Sequence, residues 1–168
     1  MTVRISRAVM EKLSIPIVPP AAQEENPLCD WAVHLFRSQR QQYLLVVNTT
    51  SLFPVVLRGR GITSGASFVD TFLPALREQH RVAGLEEGFE RLMDFSHQPI
   101  SWSKVGNRRV TGSMNELIVL AKSLLEEATW NQQPLTTAQL ALKMSGTILT
   151  FTGYQKLLEA HRPLMDGQ

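Results

Sequence analysis

Three apolar segments of strand length, joined by short polar turns, dominate the first third of the chain: DWAVHLF (30–36), YLLVVN (43–48) and LFPVVL (52–57). In the first, Trp31, Val33 and Leu35 alternate with Ala32, His34 and Phe36, so both faces are partly apolar. The second is a continuous apolar run with β-branched members, the pattern of a central strand. The third contains Pro54, which has no N–H to give a neighbour, so it is expected at a sheet edge or a bulge. The connections RSQRQQ and TTS suit tight turns, so the three segments form an antiparallel meander. TVRI (2–5) and ISWSKV (100–105) read as further strands. The expected fold is therefore α+β: an antiparallel sheet of four to five strands, covered on one face by several helices. With 43% hydrophobic residues, 168 residues suffice for one domain with its own core.

Helical periodicity fills the rest. Ser6 is placed to cap RAVMEKL, with Val9, Met10 and Leu13 on one face. Residues 15–27, IPIVPPAAQEENP, carry four prolines and read as an extended connector. Residues 66–81 predict a helix with Phe68, Phe72, Leu73 and Leu76 inward. Pro74 would kink or shorten it, and Gly84 would end it. LEEGFERLMDF (85–95) predicts a shorter helix. Ser113 and Glu116 have capping-box spacing ahead of a stripe of Leu117, Leu120, Ala121, Leu124 and Leu125. Thr136 and Gln139 form a second such box, with Leu135 and Leu140 placed as a hydrophobic staple, and that helix should stop near Gly146. TILTF (147–151) predicts a strand and GYQKLLEAH (153–161) a last helix.

Several function classes lose support. No apolar run reaches the ~18 residues of a membrane span. The basic, amphipathic start MTVRISRAVMEKL lacks the pattern of a secretory signal. A lone cysteine, Cys29, cannot form an internal disulfide and fits a reducing compartment, so a cytoplasmic bacterial protein is expected. His34, His80, His97, His161 and Cys29 lack the paired spacing of zinc ligands, so neither a metal nor a cofactor is expected. No G-x-S-x-G elbow occurs. Asp30 would raise the Cys29 thiol pKa, and Glu86–Glu87 and Glu126–Glu127 diverge on their helices. The loop RGRGITSG (58–65) imitates a dinucleotide loop but lacks the βαβ setting and distal acid, so it reads as a glycine-rich connector. Arg58 and Arg60 on it are secondary anion candidates. The net charge is +2, modest for a dedicated duplex binder. Twelve of the 17 cationic residues are arginine, a residue that favours planar contacts to phosphate or carboxylate.

The segment GNRRVTGSMNEL (106–117) is the main candidate site. A helix opening at Ser113 would present unpaired N–H groups and partial positive charge. Gly112 and Ser113 would allow close approach, Asn115 would lie in the first turn, and one of Arg108 and Arg109 would reach an anion from the preceding strand. The competing reading is structural: a filled capping box leaves fewer donors for a ligand.

The order Trp31, Leu35, Phe36, then LLVVN, SLFPVVL and NRRVTGSMNEL resembles a bacterial family of domains of unknown function, whose members read close to N-R-S-V-L-G-S-M-N-D-L at the last block. It is also similar to the leading segment of plasmid-borne open-reading-frame-three-like proteins. The resemblance runs from about residue 2 to 125, with an echo at 136–160. It rests on Asn107, Arg108, Val110, Gly112, Ser113, Met114 and Asn115, whereas Arg109 and Thr111 depart from the commonest form. It implies a fold and an association with mobile genomes, and it supplies no catalytic residues. The expected function is a non-enzymatic binding module engaging a protein or nucleic-acid partner, a protein first. The alternatives are a nucleic-acid or nucleotide binder using Arg58, Arg60, Arg108 and Arg109, and a small enzyme acting on a phosphorylated substrate at Gly112–Asn115. Exposure of Trp31 or Trp102 would favour base stacking, and their burial would mean core packing.

Overall fold

The structure is a computed structural model that describes residues 1–168 except 17, 87, 88, 90–99, 154, 167 and 168. In chain order the elements are β1 (Thr2–Ile5), α1 (Arg7–Leu13), β2 (Asp30–Ser38), β3 (Gln41–Asn48), β4 (Pro54–Arg58), α2 (Gly65–Val82), β5 (Ser101–Lys104), α3 (Arg108–Trp130), α4 (Thr137–Ser145) and α5 (Leu157–Asp166). The strands form one sheet in the order β4-β3-β2-β1-β5.

The meander is present. β2 pairs antiparallel with β3 from Trp31↔Asn48 to Ser38↔Gln41, and β3 pairs antiparallel with β4 from Tyr43↔Arg58 to Val47↔Pro54. The β2–β3 hairpin closes on Gln39 and Arg40, both with positive φ, as a two-residue type I′ turn requires. Pro54 opens the edge strand β4, and YLLVVN lies inside the sheet. The expectation of a purely antiparallel sheet is corrected. β1 lies parallel to both β2 and β5, so the sheet is mixed. A parallel neighbour needs a long crossover, and α1 with the proline-rich connector supplies it between β1 and β2.

Helices cover both faces, not one. Side chains alternate along each strand, so each face collects its own core. Val3, Ile5, Trp31, Val33, Leu44, Val46 and Val55 pack with Val9, Met10 and Leu13 of α1 and Phe68, Phe72 and Leu76 of α2. Ala32, Phe36, Tyr43, Leu45, Val47 and Val56 pack with α3 and α4. The apolar parts of both faces of β2 foreshadowed this second layer.

The long helix begins earlier than expected. Asn107 is its N-cap, and RRV, read as a strand, forms its first turn. The Asn107 Oδ1 accepts from the N–H of Arg109 at 2.9 Å and of Val110 at 3.4 Å. Starting there extends the buried stripe back to Val110 and Met114, ahead of Leu117, Ala121 and Leu125. Each such side chain, fully buried, contributes ~1.5–3 kcal/mol before entropy is counted, which outweighs any pairing of a three-residue strand. Ser113 is therefore buried in the helix interior and caps nothing. The Thr136–Gln139 box is present, and α2 runs through Pro74 from its own box at Ser64–Ser67. TILTF is not a strand: Thr150–Thr152 form a 3-10 turn, and Ile148 makes a lone bridge to Lys156. Most of the helix predicted at 85–95 lies outside the described residues, as does His97, while Leu85 and Phe89 are buried. No helix among the described residues is long and apolar enough to cross a membrane.

Candidate ligand site at the opening of the long helix

The proline-rich connector is fastened across one end of the sheet. Lys104 N–H donates to the Pro19 carbonyl at 3.3 Å and Ala21 N–H to Ser103 Oγ at 2.8 Å, so the segment covers the free edge of β5. Further along, Thr2 Oγ1 donates to Glu24. Beneath this strap lies an ion pair. Arg4 Nε meets Asp30 Oδ1 at 2.7 Å and Nη2 meets Oδ2 at 2.8 Å. The same guanidinium donates to the carbonyls of Ala21 (2.9 Å) and Ala22 (2.6 Å). The parallel register places Arg4 beside Ala32, one pleat from Asp30 and on the same face.

Over this pair opens a cavity of about 310 Å³. Arg4, Asp30 and Ala32 form its floor, Pro20, Ala21 and Gln23 the strap side, Thr49 a further wall, and Val105, Gly106, Asn107 and Val110 the side where α3 begins. Asp30 already accepts from two Arg4 nitrogens and, at 3.2 Å, from Glu24 N–H. Asn107 Oδ1 is spent on the helix cap. The groups left without partners among the described residues include three donors: the Asn107 Nδ2, the Arg108 backbone N–H at the first helical position, and one of five guanidinium N–H bonds of Arg4. The buried Thr49 hydroxyl in the wall is also without a partner. The dipole of α3 adds partial positive charge at this mouth.

The sequence-predicted residues divide around it. Arg108 and Arg109 are exposed in the first turn, next to the cavity-lining Asn107. Neither has a carboxylate within ion-pairing distance among the described residues. Arg109 lies over the Phe151 ring, 5.6 Å from its centroid. Gly112 and Asn115 are exposed, but a turn or two into the helix, where i−4 carbonyls take up the N–H groups. Arg58 and Arg60 sit at the far end of the sheet, so the primary and secondary candidates are not brought together. Reading the sequence missed Arg4, Asp30 and the strap. An isolated arginine in a four-residue strand gives no local sign of its partner 26 residues away. Because Asn107 is the cap, Asn107→Ala is expected to cost ~1 kcal/mol in urea denaturation, whereas Ser113→Ala carries no capping loss.

These positions include much of the block that carried the family resemblance. A family model described as a domain of unknown function, DUF6933, matches residues 2–160. The chain belongs to this family. No curated protein and no solved structure matches the chain. In this DUF6933 domain the match covers the strap, the cavity and the five described helices, apart from the last turns of α5.

The DUF6933 domain holds a second polar cluster that sequence spacing did not reveal. Ser51 Oγ lies 2.8 Å from His161 Nδ1, and His161 Nε2 lies 3.2 Å from His80 Nε2. His80 Nδ1 lies 2.8 Å from the Leu76 carbonyl. That carbonyl can only accept, so Nδ1 of His80 carries its proton and Nε2 is bare. His161 then donates from Nε2 and accepts the Ser51 hydroxyl proton at Nδ1. The chain resembles a nucleophile–base pair, yet both imidazoles are fully buried and Ser51 is 1% exposed. It ties α2, α5 and the β3–β4 loop together and meets no solvent. Among the described residues no three His, Cys, Asp or Glu side chains gather as metal ligands. Burial, more than the nearby carboxylates, pushes the Cys29 thiol up.

Proposed function

We propose that this domain is a non-enzymatic binding module that receives an acidic group of a protein partner at the opening of α3. The carrying observation is the set of unpartnered donors at the cavity mouth. Asn107 Nδ2, Arg108 N–H and the spare Arg4 N–H make no hydrogen bond within the described residues, and Arg108 stands beside them without a counter-charge. A carboxylate or phosphate supplies acceptors to all three, and the helix terminus favours its charge. The polar groups at the floor are already engaged, so they hold the mouth in shape and leave no free base to move a proton. A nucleotide phosphate meets the same donors. It is the second reading, favoured by the unpaired Arg108 and Arg109.

Amide-resolved NMR with an acetylated Glu-Glu peptide, and separately with inorganic phosphate, tests this. Shifts confined to Asn107–Val110 and the strap, abolished by Arg108→Glu, are the expected result. Unmoved resonances at millimolar concentrations of both probes would remove the reading. Native capture with wild-type and Arg108→Glu bait then asks whether a protein partner depends on the same mouth.

A further inference from the structure

The end of the sheet opposite the cavity presents a different surface. Arg40, Arg58 and Arg60 gather there, whereas Arg37 points to the other face of the sheet, that of Trp31 and Val33. Arg37 lies opposite Gln42, and Tyr43 lies opposite Arg58. Arg40 occupies the tip of the β2–β3 turn, and Arg60 follows Gly59, whose N–H donates to the Gln42 carbonyl at 2.7 Å. Three strands at ~4.8 Å spacing make this rim about 10 Å wide. All four arginines are exposed, and among the described residues none makes an ion pair or a hydrogen bond through its side chain. Glycine is required within the rim. A Cβ on Gly59 would sit 3.0 Å from the Gln42 carbonyl oxygen, and Gly61 has a φ of +83°.

The same end carries an aromatic ring that the fold does not use. Gln39, at the hairpin turn, donates to the Leu125 carbonyl at 2.9 Å and to Thr129 Oγ1 at 2.6 Å, which fixes the turn against the last turns of α3. The next residue, Trp130, is 88% exposed. Trp31 is fully buried, and Trp102 packs edge-on against Phe68. This indole is left in water at the end of the sheet that carries the unpaired guanidinium groups. Glu126 and Glu127, one turn back, are exposed and paired with none of the arginines.

We infer that this rim binds single-stranded nucleic acid, with Arg40, Arg58 and Arg60 on successive phosphates and Trp130 stacked on an unpaired base. Guanidinium forks match phosphate geometry, and an exposed tryptophan adds a sequence-tolerant platform. The narrow rim follows one strand, and the indole needs a base free of its complement. This surface is separate from the α3 opening, since the 23 residues of α3 span about 34 Å.

The test is fluorescence anisotropy of the full chain with 15-nucleotide oligo(U) and oligo(dT), at 50 to 200 mM salt. Three phosphate contacts predict a log–log salt slope of about −2.1, roughly a twenty-fold loss of affinity across that range. Arg58→Ala/Arg60→Ala should cut the slope to about a third. Trp130→Ala should weaken binding about five- to a hundred-fold, and Trp130→Phe should abolish most of the quenching of tryptophan emission. All these positions are exposed, and circular dichroism checks that the variants are folded. Preference for oligo(U) assigns RNA, preference for oligo(dT) assigns DNA, and equal affinity assigns a reader of phosphate and base common to both. No binding at 50 mM salt overturns the proposal. So does loss of binding on Arg108→Ala with Arg58→Ala/Arg60→Ala unchanged. Poly-glutamate binding of equal strength, indifferent to Trp130→Ala, would reassign the rim to acidic protein and equally overturn it.

Discussion

Replacing Asp30 with alanine will lower the free energy of unfolding by about 3–5 kcal/mol, the range for breaking one side of a buried ion pair. The carboxylate is 1% exposed and the Arg4 side chain 11% exposed, so water screens neither. Truncation leaves a guanidinium under the strap with two carbonyl partners and, for counter-charge, only the more weakly coupled Glu24. It also strands the Glu24 N–H, which donates to Asp30 Oδ2. The strap should loosen before the sheet does, because its fastening through Arg4 depends on the orientation Asp30 imposes. Hydrogen exchange at the Glu24 and Ala21 amides would therefore quicken more than exchange at Leu44 or Val46 in the sheet interior. The double replacement Arg4→Met/Asp30→Leu should recover most of the lost stability, since apolar groups of similar volume often match a buried pair. A loss below 1 kcal/mol on Asp30→Ala would mean that the pair is solvated in solution and that the cavity floor is not fixed.

That ion pair marks where local reading of the sequence stops. The meander was legible because its information is local: apolar runs of strand length, polar turns, and a proline that excludes a central position for β4. The placement of β1 was not legible. It joins β2 across a crossover containing a helix and four prolines, and no periodicity in TVRI states which neighbour it will find. At the candidate site the error was one of register along the chain. Arg108 and Arg109 read as part of a strand, and S-x-x-E at Ser113 suggested a cap. Both signals are weaker than the stripe of Val110, Met114, Leu117 and Ala121, which needs the helix to start at Asn107. Continuing the i, i+4, i+7 pattern one turn back from Leu117 would have found it. His80 and His161 are 81 residues apart and meet only because α2 and α5 pack on the same face of the sheet as Phe53. The arginines show the same limit. Arg58/Arg60 and Arg108/Arg109 look like one class in the sequence, and the fold sends them to opposite ends.

Lowering the pH from 7 to 4 will unfold the domain progressively, with the buried histidine pair supplying a large share of the loss. Burial pushes the His80 imidazole down from 6.5 to about 4, against the pull of its bond to the Leu76 carbonyl. His161 is lowered in the same direction, by burial first and then by His80. Among the described residues no carboxylate faces either ring. Phe53 stacks on His161 with centroids 4.3 Å apart, and Trp31 and Phe89 bring only aromatic edges or faces. Between the two values the unfolded chain binds a proton that the folded chain refuses, so stability rises with pH in that window. It is fully present above about pH 6.5 and falls as the pH drops toward 4, by ~3 kcal/mol from His80 alone. The proton chain opposes charge on His80: a proton added to its Nε2 would confront the Nε2–H of His161. On His161 the opposition comes from burial and from His80, since Ser51 Oγ can accept from Nδ1 while donating to Asn48 Oδ1 at 3.1 Å. Urea midpoints measured at pH 7.5, 6, 5 and 4.5 should fall steeply for the wild type. His80→Phe/His161→Phe should be less stable at pH 7.5, because the bonds of His161 to Ser51 and of His80 to the Leu76 carbonyl are lost, yet decline less over the same range. The carboxylates titrate in both proteins, so the difference between the two slopes isolates the pair. Parallel slopes from pH 6.5 to 4.5 would show that the rings are protonated in the folded state, and the neutral relay through Ser51, His161 and His80 would have to be abandoned.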